Sequence, residues 1–169
     1  MIIRRRSHFG WGPSDADFAM PQRGIVLHFN GRATHLSAHA ECIAYWKRVR
    51  SFHVDGNGWV DIGYSFGVCP HGEVFTGRGL YRYQAAQGTT EGNREYYSIT
   101  LMVGGTEVPP AQQIDMVRDF RRYLIGLGAG VEIRPHQKFF DTDCPGPVIT
   151  ELLSQGAFDH GTALGLDLA

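Results

Sequence analysis

Three short segments carry residue types that could do chemistry together. A lone histidine, His28, ends the apolar run Ile25-Val26-Leu27. The stretch Gly58-Trp59-Val60-Asp61-Ile62-Gly63-Tyr64-Ser65-Phe66 holds a tyrosine. The segment His136-Gln137-Lys138-Phe139-Phe140-Asp141-Thr142-Asp143-Cys144-Pro145-Gly146 supplies a second histidine and a thiol. Two imidazoles and a thiol form a soft-to-borderline ligand set that suits zinc, and a zinc site with only three protein ligands keeps one position open for water. A tyrosine hydroxyl at the edge of such a site could stabilise a developing oxyanion. The three segments together point to metal-assisted hydrolysis.

Each residue taken singly has a plainer reading. A histidine after a buried strand is commonly a satisfied core histidine, and a tyrosine in an alternating strand commonly packs in a core. His136 and Cys144 stand eight residues apart, too far for one helix face, so a loop must fold back to join them. Cys144 with a histidine base would make a metal-free nucleophile instead, which requires an activated thiolate.

In this order, the segments resemble those of the zinc N-acetylmuramoyl-L-alanine amidases of the phage-lysozyme and peptidoglycan-recognition-protein family, over roughly residues 22–155. Gly72-Glu73-Val74-Phe75-Thr76-Gly77-Arg78-Gly79 looks like that family's next turn and strand, and Thr142-Asp143-Cys144-Pro145-Gly146 like its closing segment. The resemblance implies Zn2+ held by His28, His136 and Cys144, with Tyr64 and, less strongly, Thr142 as catalytic groups. It implies hydrolysis of the amide between N-acetylmuramic acid and L-alanine in peptidoglycan. A non-catalytic peptidoglycan-binding module of the same fold is the alternative; loss of the thiol ligand usually marks such modules, and Cys144 is present.

Where many relatives carry Gly-Ala-His-Thr, this chain reads Ala85-Ala86-Gln87-Gly88, with Asn93 further on. Glutamine can hydrogen-bond a substrate but cannot carry a proton near neutral pH. Gln87 and Asn93, as loop-borne polar residues, are expected substrate contacts, with Trp59 as a further one. Arg78 is expected either to pair with a stem-peptide carboxylate or to form a structural ion pair. His53 reads as structural. His35, His39, His71 and His160 have no sequence partner that raises them above surface or core duty.

The 169 residues, 43% hydrophobic, can bury one sizeable core. A formal net charge of −1 supplies no field to attract nucleic acid or an anionic membrane. Arg4-Arg5-Arg6 reads as solvated terminal charge. No stretch approaches the ~20 apolar residues that span a bilayer, and no apolar h-region follows the arginines, so no secretory signal is expected. The expected setting is a monomer made in the cytoplasm. It would reach the wall after release, as a phage endolysin does, or as a domain of a larger exported protein. Three cysteines exclude a complete disulfide framework. With Cys144 as a ligand, Cys42 and Cys69 either pair or remain buried thiols, and buried thiols are favoured.

The expected fold class is α/β: one domain, a mixed central sheet flanked by helices, as in peptidoglycan-recognition proteins. Residues 1–21 read as an irregular arm packed on the domain, with Phe9 and Trp11 as candidate anchors, 22–158 as the amidase domain and 159–169 as a tail. Strands are expected over 24–29, 64–69, 73–76, 96–103 and 131–134. Helices are expected over 38–53, with Ser37 as N-cap, 110–127 and 147–153. The second of these has a stripe of Ile114, Val117, Leu124 and Leu127 opposite Asp115, Arg118, Asp119, Arg121 and Arg122. Residues 79–95 lack periodicity and read as a long surface loop.

Overall fold

Apolar five- and six-residue runs that are buried along their whole length make the centre of the sheet. In the computed structural model, which describes residues 1–159, the strands are β1 (Ile3–Arg4), β2 (Gly24–His28), β3 (Phe66–Val68), β4 (Val74–Thr76), β5 (Tyr96–Leu101) and β6 (Glu132–Pro135). The helices are α1 (His39–Ser51), α2 (Thr90–Glu95), α3 (Ala111–Gly126) and α4 (Pro147–Ser154). The strand order is β1-β4-β3-β5-β2-β6. All neighbouring pairs are parallel except the β3–β4 hairpin. The architecture is the expected one, a single domain with a mixed sheet between helices.

Side chains alternate across a strand, and the sheet uses both faces. Ile25, Leu27, Tyr97, Ile99 and Leu101 pack with Ile114, Val117, Phe120 and Leu124 of α3. On the other face Cys42 and Trp46 of α1 pack with Ile62, Cys69, Phe75 and Met102. Gly67 in β3 makes room for α1: a Cβ there would stand 2.8 Å from the Trp46 ring. Since α1 covers β3 and β4, the outer end of β2 is left to the loops, and His28 lies there.

The structure departs from the sequence expectations in several places. The amino-terminal arm, anchored by Phe9 against Phe75, is not irregular throughout: it adds β1 to the sheet, parallel to β4. Its arginines are not merely solvated. Arg4 makes a bidentate pair with Glu73 at 2.6 and 2.9 Å, and Arg6 meets the buried Asp61 at 2.8 Å. Helix α1 starts one residue late, with Ala38 at the N-cap. Ser37 instead joins Ala38 in donating to the Glu41 carboxylate, with backbone N–H contacts of 2.9 and 2.8 Å. Residues 79–95 are not a surface loop. They contain α2, capped by Thr89 Oγ1 accepting from the Gly92 N–H, and they bury Gln84 and Gln87 completely.

Arg121, expected on the solvent side of α3, is 7% exposed and donates to the carbonyls of Phe158 and Val131. Phe120 takes the core position that Leu127 was expected to share; Leu127 is 37% exposed beyond the helix end. Among the described residues no helix is long and apolar enough to cross a membrane. His160 and nearly all of the expected tail lie outside the described residues.

Candidate functional site

His28 closes β2, paired in register with Thr100 of β5. Alternation turns it away from α3, on the face opposite Ile25 and Leu27. Ligand sites in sheets of this kind form at the carboxyl ends of parallel strands, and His136 stands immediately after β6, in a turn of 3-10 helix. The loop that must return from His136 to Cys144 does so through backbone hydrogen bonds. The Gln137 N–H donates to the Cys144 carbonyl at 3.0 Å, and the Phe139 N–H donates to the His136 carbonyl at 2.9 Å. The Cys144 N–H donates to Thr142 Oγ1 at 3.2 Å. Gly146, at φ +84°, then passes so near Phe29 that a Cβ would lie 2.7 Å from its ring. Only glycine meets both requirements at once.

These elements bring together the three expected ligands. Cys144 Sγ lies 3.6 Å from His28 Nδ1, the His28 and His136 rings are 4.5 Å apart, and one donor atom from each residue falls within 4.8 Å of the others. His28 is 1% exposed, yet its Nε2 has no hydrogen-bond partner, and the ring nitrogens of His136 have only the Gln87 backbone close by. Buried polar atoms are almost always paired, so a shielded cluster of unpaired donors fits a bound cation.

Burial holds both imidazoles neutral, with His28 well below the usual 6.5 and its neighbour His136 adding to the effect. Neutral imidazole is the form that binds metal. Burial also pushes the Cys144 thiol up to about 11. A nucleophilic thiolate needs the opposite shift, whereas a coordinating cation deprotonates a thiol outright. The site has the donor set of a transition-metal centre, and that set does not suit a metal-free cysteine nucleophile.

Tyr64 lies beside the cluster, its ring 5.3 Å from His28 and stacked at 6.3 Å on Trp46. Burial, with a smaller contribution from Cys144, raises its hydroxyl pKa, so it remains a proton-bearing donor. The segment before it is pinned through Asp61, whose Oδ1 accepts from Arg50 Nε at 2.8 Å and from the Ile62 N–H at 2.9 Å. Thr142 stands on the other side of the ligands, at the edge of an open depression of about 660 Å³ whose walls include Phe29, Asp143, Gly146 and Glu151.

The other expected contacts are elsewhere. Arg78 is 5% exposed and donates to the carbonyls of Ile62 (2.7 Å) and Tyr83 (2.8 Å), which leaves it a backbone clamp rather than a carboxylate receptor. Gln87 and Asn93 are buried, at 0% and 9% exposure, and the Asn93 Oδ1 accepts from the Gln87 N–H at 2.9 Å. They hold the loop behind His136, where the Gln87 backbone partly offsets the effect of burial on that imidazole. Trp59 is 36% exposed and stacks on His53 at 4.8 Å, and His53 in turn meets Tyr64 at 5.7 Å. His53 Nδ1 accepts from the Gly63 N–H at 3.0 Å, a structural role as expected.

One group of donors escaped the sequence reading. His39, Cys69 and His71 also converge within 4.8 Å, beneath the start of α1. The available signal was the pair of short spacings His39-x-x-Cys42 and Cys69-x-His71, which place two donors on one helix face and two in one turn.

No protein-family model matches the chain. It is 26% identical over 165 residues to peptidoglycan-recognition protein LB of Drosophila melanogaster, covering 93% of this chain and 71% of that protein. It is 33% identical over 121 residues to an N-acetylmuramoyl-L-alanine amidase of Sus scrofa, covering 68% of this chain but only 20% of that much longer protein. Among solved structures it superposes on wild-type Drosophila PGRP-LB with a TM-score of 0.81 at 27% identity, over 95% of this chain and 98% of that one. A tyrosine variant of the same protein in complex with tracheal cytotoxin gives 0.82 at 26% identity, over 94% and 96%. With the fold shared almost end to end, the chain belongs to the family of peptidoglycan-recognition proteins and N-acetylmuramoyl-L-alanine amidases.

Proposed function

We propose that this chain is a zinc-dependent N-acetylmuramoyl-L-alanine amidase, which cuts the amide between the lactyl group of N-acetylmuramic acid and L-alanine. Its family supports peptidoglycan binding or amide hydrolysis as the coarser statement. One observation carries the finer one: His28, His136 and Cys144 converge as a complete three-donor set with a protonated tyrosine beside it. With zinc–sulfur and zinc–nitrogen bonds of about 2.3 and 2.0–2.1 Å, tetrahedral geometry places the two donor atoms about 3.6 Å apart. The Cys144–His28 separation is 3.6 Å.

Zinc held by these three residues would lower the pKa of a bound water and polarise the scissile carbonyl. The remaining work falls to the chain. Tyr64 keeps its proton and donates to the carbonyl oxygen as charge develops there. Thr142 Oγ1 accepts from the Cys144 N–H, which orients the thiol ligand and leaves its own O–H free to donate. Buried, neutral His28 and His136 fix the geometry without competing for protons.

The test measures zinc, free amines and reducing sugars on digested cell walls. An amidase carries zinc at this site and releases amines with no new reducing ends. Binding to walls without amine release, at full zinc occupancy, would leave only the recognition-module reading. Zinc affinity should fall as pH drops, because histidine and thiol ligands must lose protons to bind.

A further inference from the structure

The second donor cluster has the composition of a closed metal site. Helix α1 contributes His39 and Cys42, three residues apart and therefore on one face. The turn between β3 and β4 contributes Cys69 and His71. Cys42 Sγ lies 3.4 Å from His71 Nδ1, and Cys69 Sγ lies 3.9 Å from His39 Nδ1. These values bracket the spacing of about 3.6 Å between sulfur and nitrogen ligands of one tetrahedral zinc. Both sulfurs belong to free thiols with no exposed surface.

We propose that His39, Cys42, Cys69 and His71 form a second, four-ligand zinc site, which clamps the first turn of α1 to the β3–β4 hairpin. The outer nitrogens of both imidazoles each face an oxygen, as such a site requires. His71 Nε2 is 3.1 Å from the Ser37 carbonyl, and His39 Nε2 is 2.8 Å from Glu73 Oε2. A carboxylate or carbonyl behind a ligating histidine fixes which ring nitrogen faces the metal. Glu73 is itself held by Arg4, so this outer shell reaches the edge strand β1. Charge favours the arrangement as well. Two thiolates and a divalent cation sum to zero, which removes most of the cost of burying them.

Four protein ligands and no exposed sulfur leave no position for water or substrate, so the ion is structural. This inference is independent of the amidase reading, because none of its ligands touches His28, His136 or Cys144.

Elemental analysis of the full chain, purified without chelator, tests the proposal by counting metal. The wild type should hold two zinc ions and His71→Ala one, with amine release from cell walls retained in that variant. A measurement that leaves the second site untouched uses His28→Ala with Cys144→Ser. That protein should still bind one Co2+, with a charge-transfer band as strong as two thiolates require. Failure of the amidase reading would change amine release and leave this band unaltered. One zinc in the wild type together with no cobalt band in the double variant would overturn the proposal. A Cys42–Cys69 disulfide, seen as a mass two hydrogens lower and unreactive sulfurs, would overturn it too.

Discussion

Two clusters of histidine and cysteine lie on the same side of one sheet, and they differ in how many donors each brings and where those donors stand. The first gathers three donors from the end of β2 and the loop after β6, where the elements part and an open depression adjoins. The second brings His39, Cys69 and His71 together between α1 and a tight hairpin, with Cys42 against His71 and both sulfurs fully covered. Three donors leave a coordination position for chemistry, and the four proposed for the second site leave none. The same residue types thus suit a reaction in one place and a fastening in the other. Position in the fold decides which.

The sharpest way to break the comparison exchanges one thiol in each cluster. Cys144→Ser should lose nearly all amine release together with one metal equivalent. Cys42→Ser should lose the other equivalent and keep turnover, with unfolding made easier by about 2 kcal/mol or more, a large effect for one substitution. Metal content, amine release and denaturant midpoints on the two variants check this. If the Cys144 variant lost activity while retaining both metals, its thiol would be a nucleophile and the contrast between the clusters would collapse.

Within the first cluster the roles can be ranked further. Tyr64→Phe should retain fold and metal and lose roughly 10²-fold in turnover, the scale of one missing oxyanion donor. Thr142→Ala should lose less, since Oγ1 acts largely by orienting the Cys144 backbone. Equal single-turnover rates for wild type and the Tyr64 variant on one muropeptide would remove Tyr64 from the chemistry.

The first cluster was legible in the sequence and the second was not, for a physical reason. His28, Tyr64, His136 and Cys144 lie in segments whose order and composition are distinctive, so a resemblance could nominate each one by number. Cys42 and Cys69 read only as buried thiols. Their meeting with His39 and His71 depends on how α1 packs over Gly67 and Trp46, which no local pattern specifies. The strands and long helices were legible from hydrophobic periodicity, to within a few residues. The 79–95 segment was misread because its order comes from α2 and from polar groups such as Gln87 and Asn93 facing inward, and periodicity is blind to both. Arg4, Arg6 and Arg121 looked like surface charge, because the carboxylates and carbonyls that receive them are distant in sequence.

The aromatic chain Trp59–His53–Tyr64 beside the first cluster makes a pH-dependent prediction. Burial, with the Arg78 charge adding to it, brings the His53 pKa from 6.5 to about 4. Folding therefore weakens its hold on a proton, so the unfolded chain binds more protons between those two values. The contribution is intact above about 6.5 and is lost as the pH falls towards about 4. Thermal midpoints should drop across that window, and His53→Gln should flatten part of the drop. An unchanged slope in the variant would place the pH dependence on other groups, such as His28 and His136, whose pKa values move in the same direction.

The smallest expected effect concerns Gln87, which the sequence offered as a substrate contact and the structure buries. Its side-chain oxygen and nitrogen have no partner, and its Cβ is packed so closely that a Cβ on Gly92 would come within 2.8 Å of it. What Gln87 gives the site comes from its backbone. The N–H donates to Asn93, and the backbone next to His136 favours the charged form of that imidazole against the effect of burial. An apolar residue of similar length leaves those contacts in place and removes two buried polar atoms that have nothing to bond. Such a replacement is close to neutral or mildly favourable, where loss of one member of a satisfied pair would be costly. Gln87→Leu should therefore change stability by no more than about 1 kcal/mol, with metal content and muropeptide kinetics preserved. Gln87→Ala should be worse in stability, because it adds a cavity to the same packed wall. A fall in kcat/KM for Gln87→Leu at unchanged metal content would mean that this side chain does reach substrate. The loop behind His136 would then have to open during turnover.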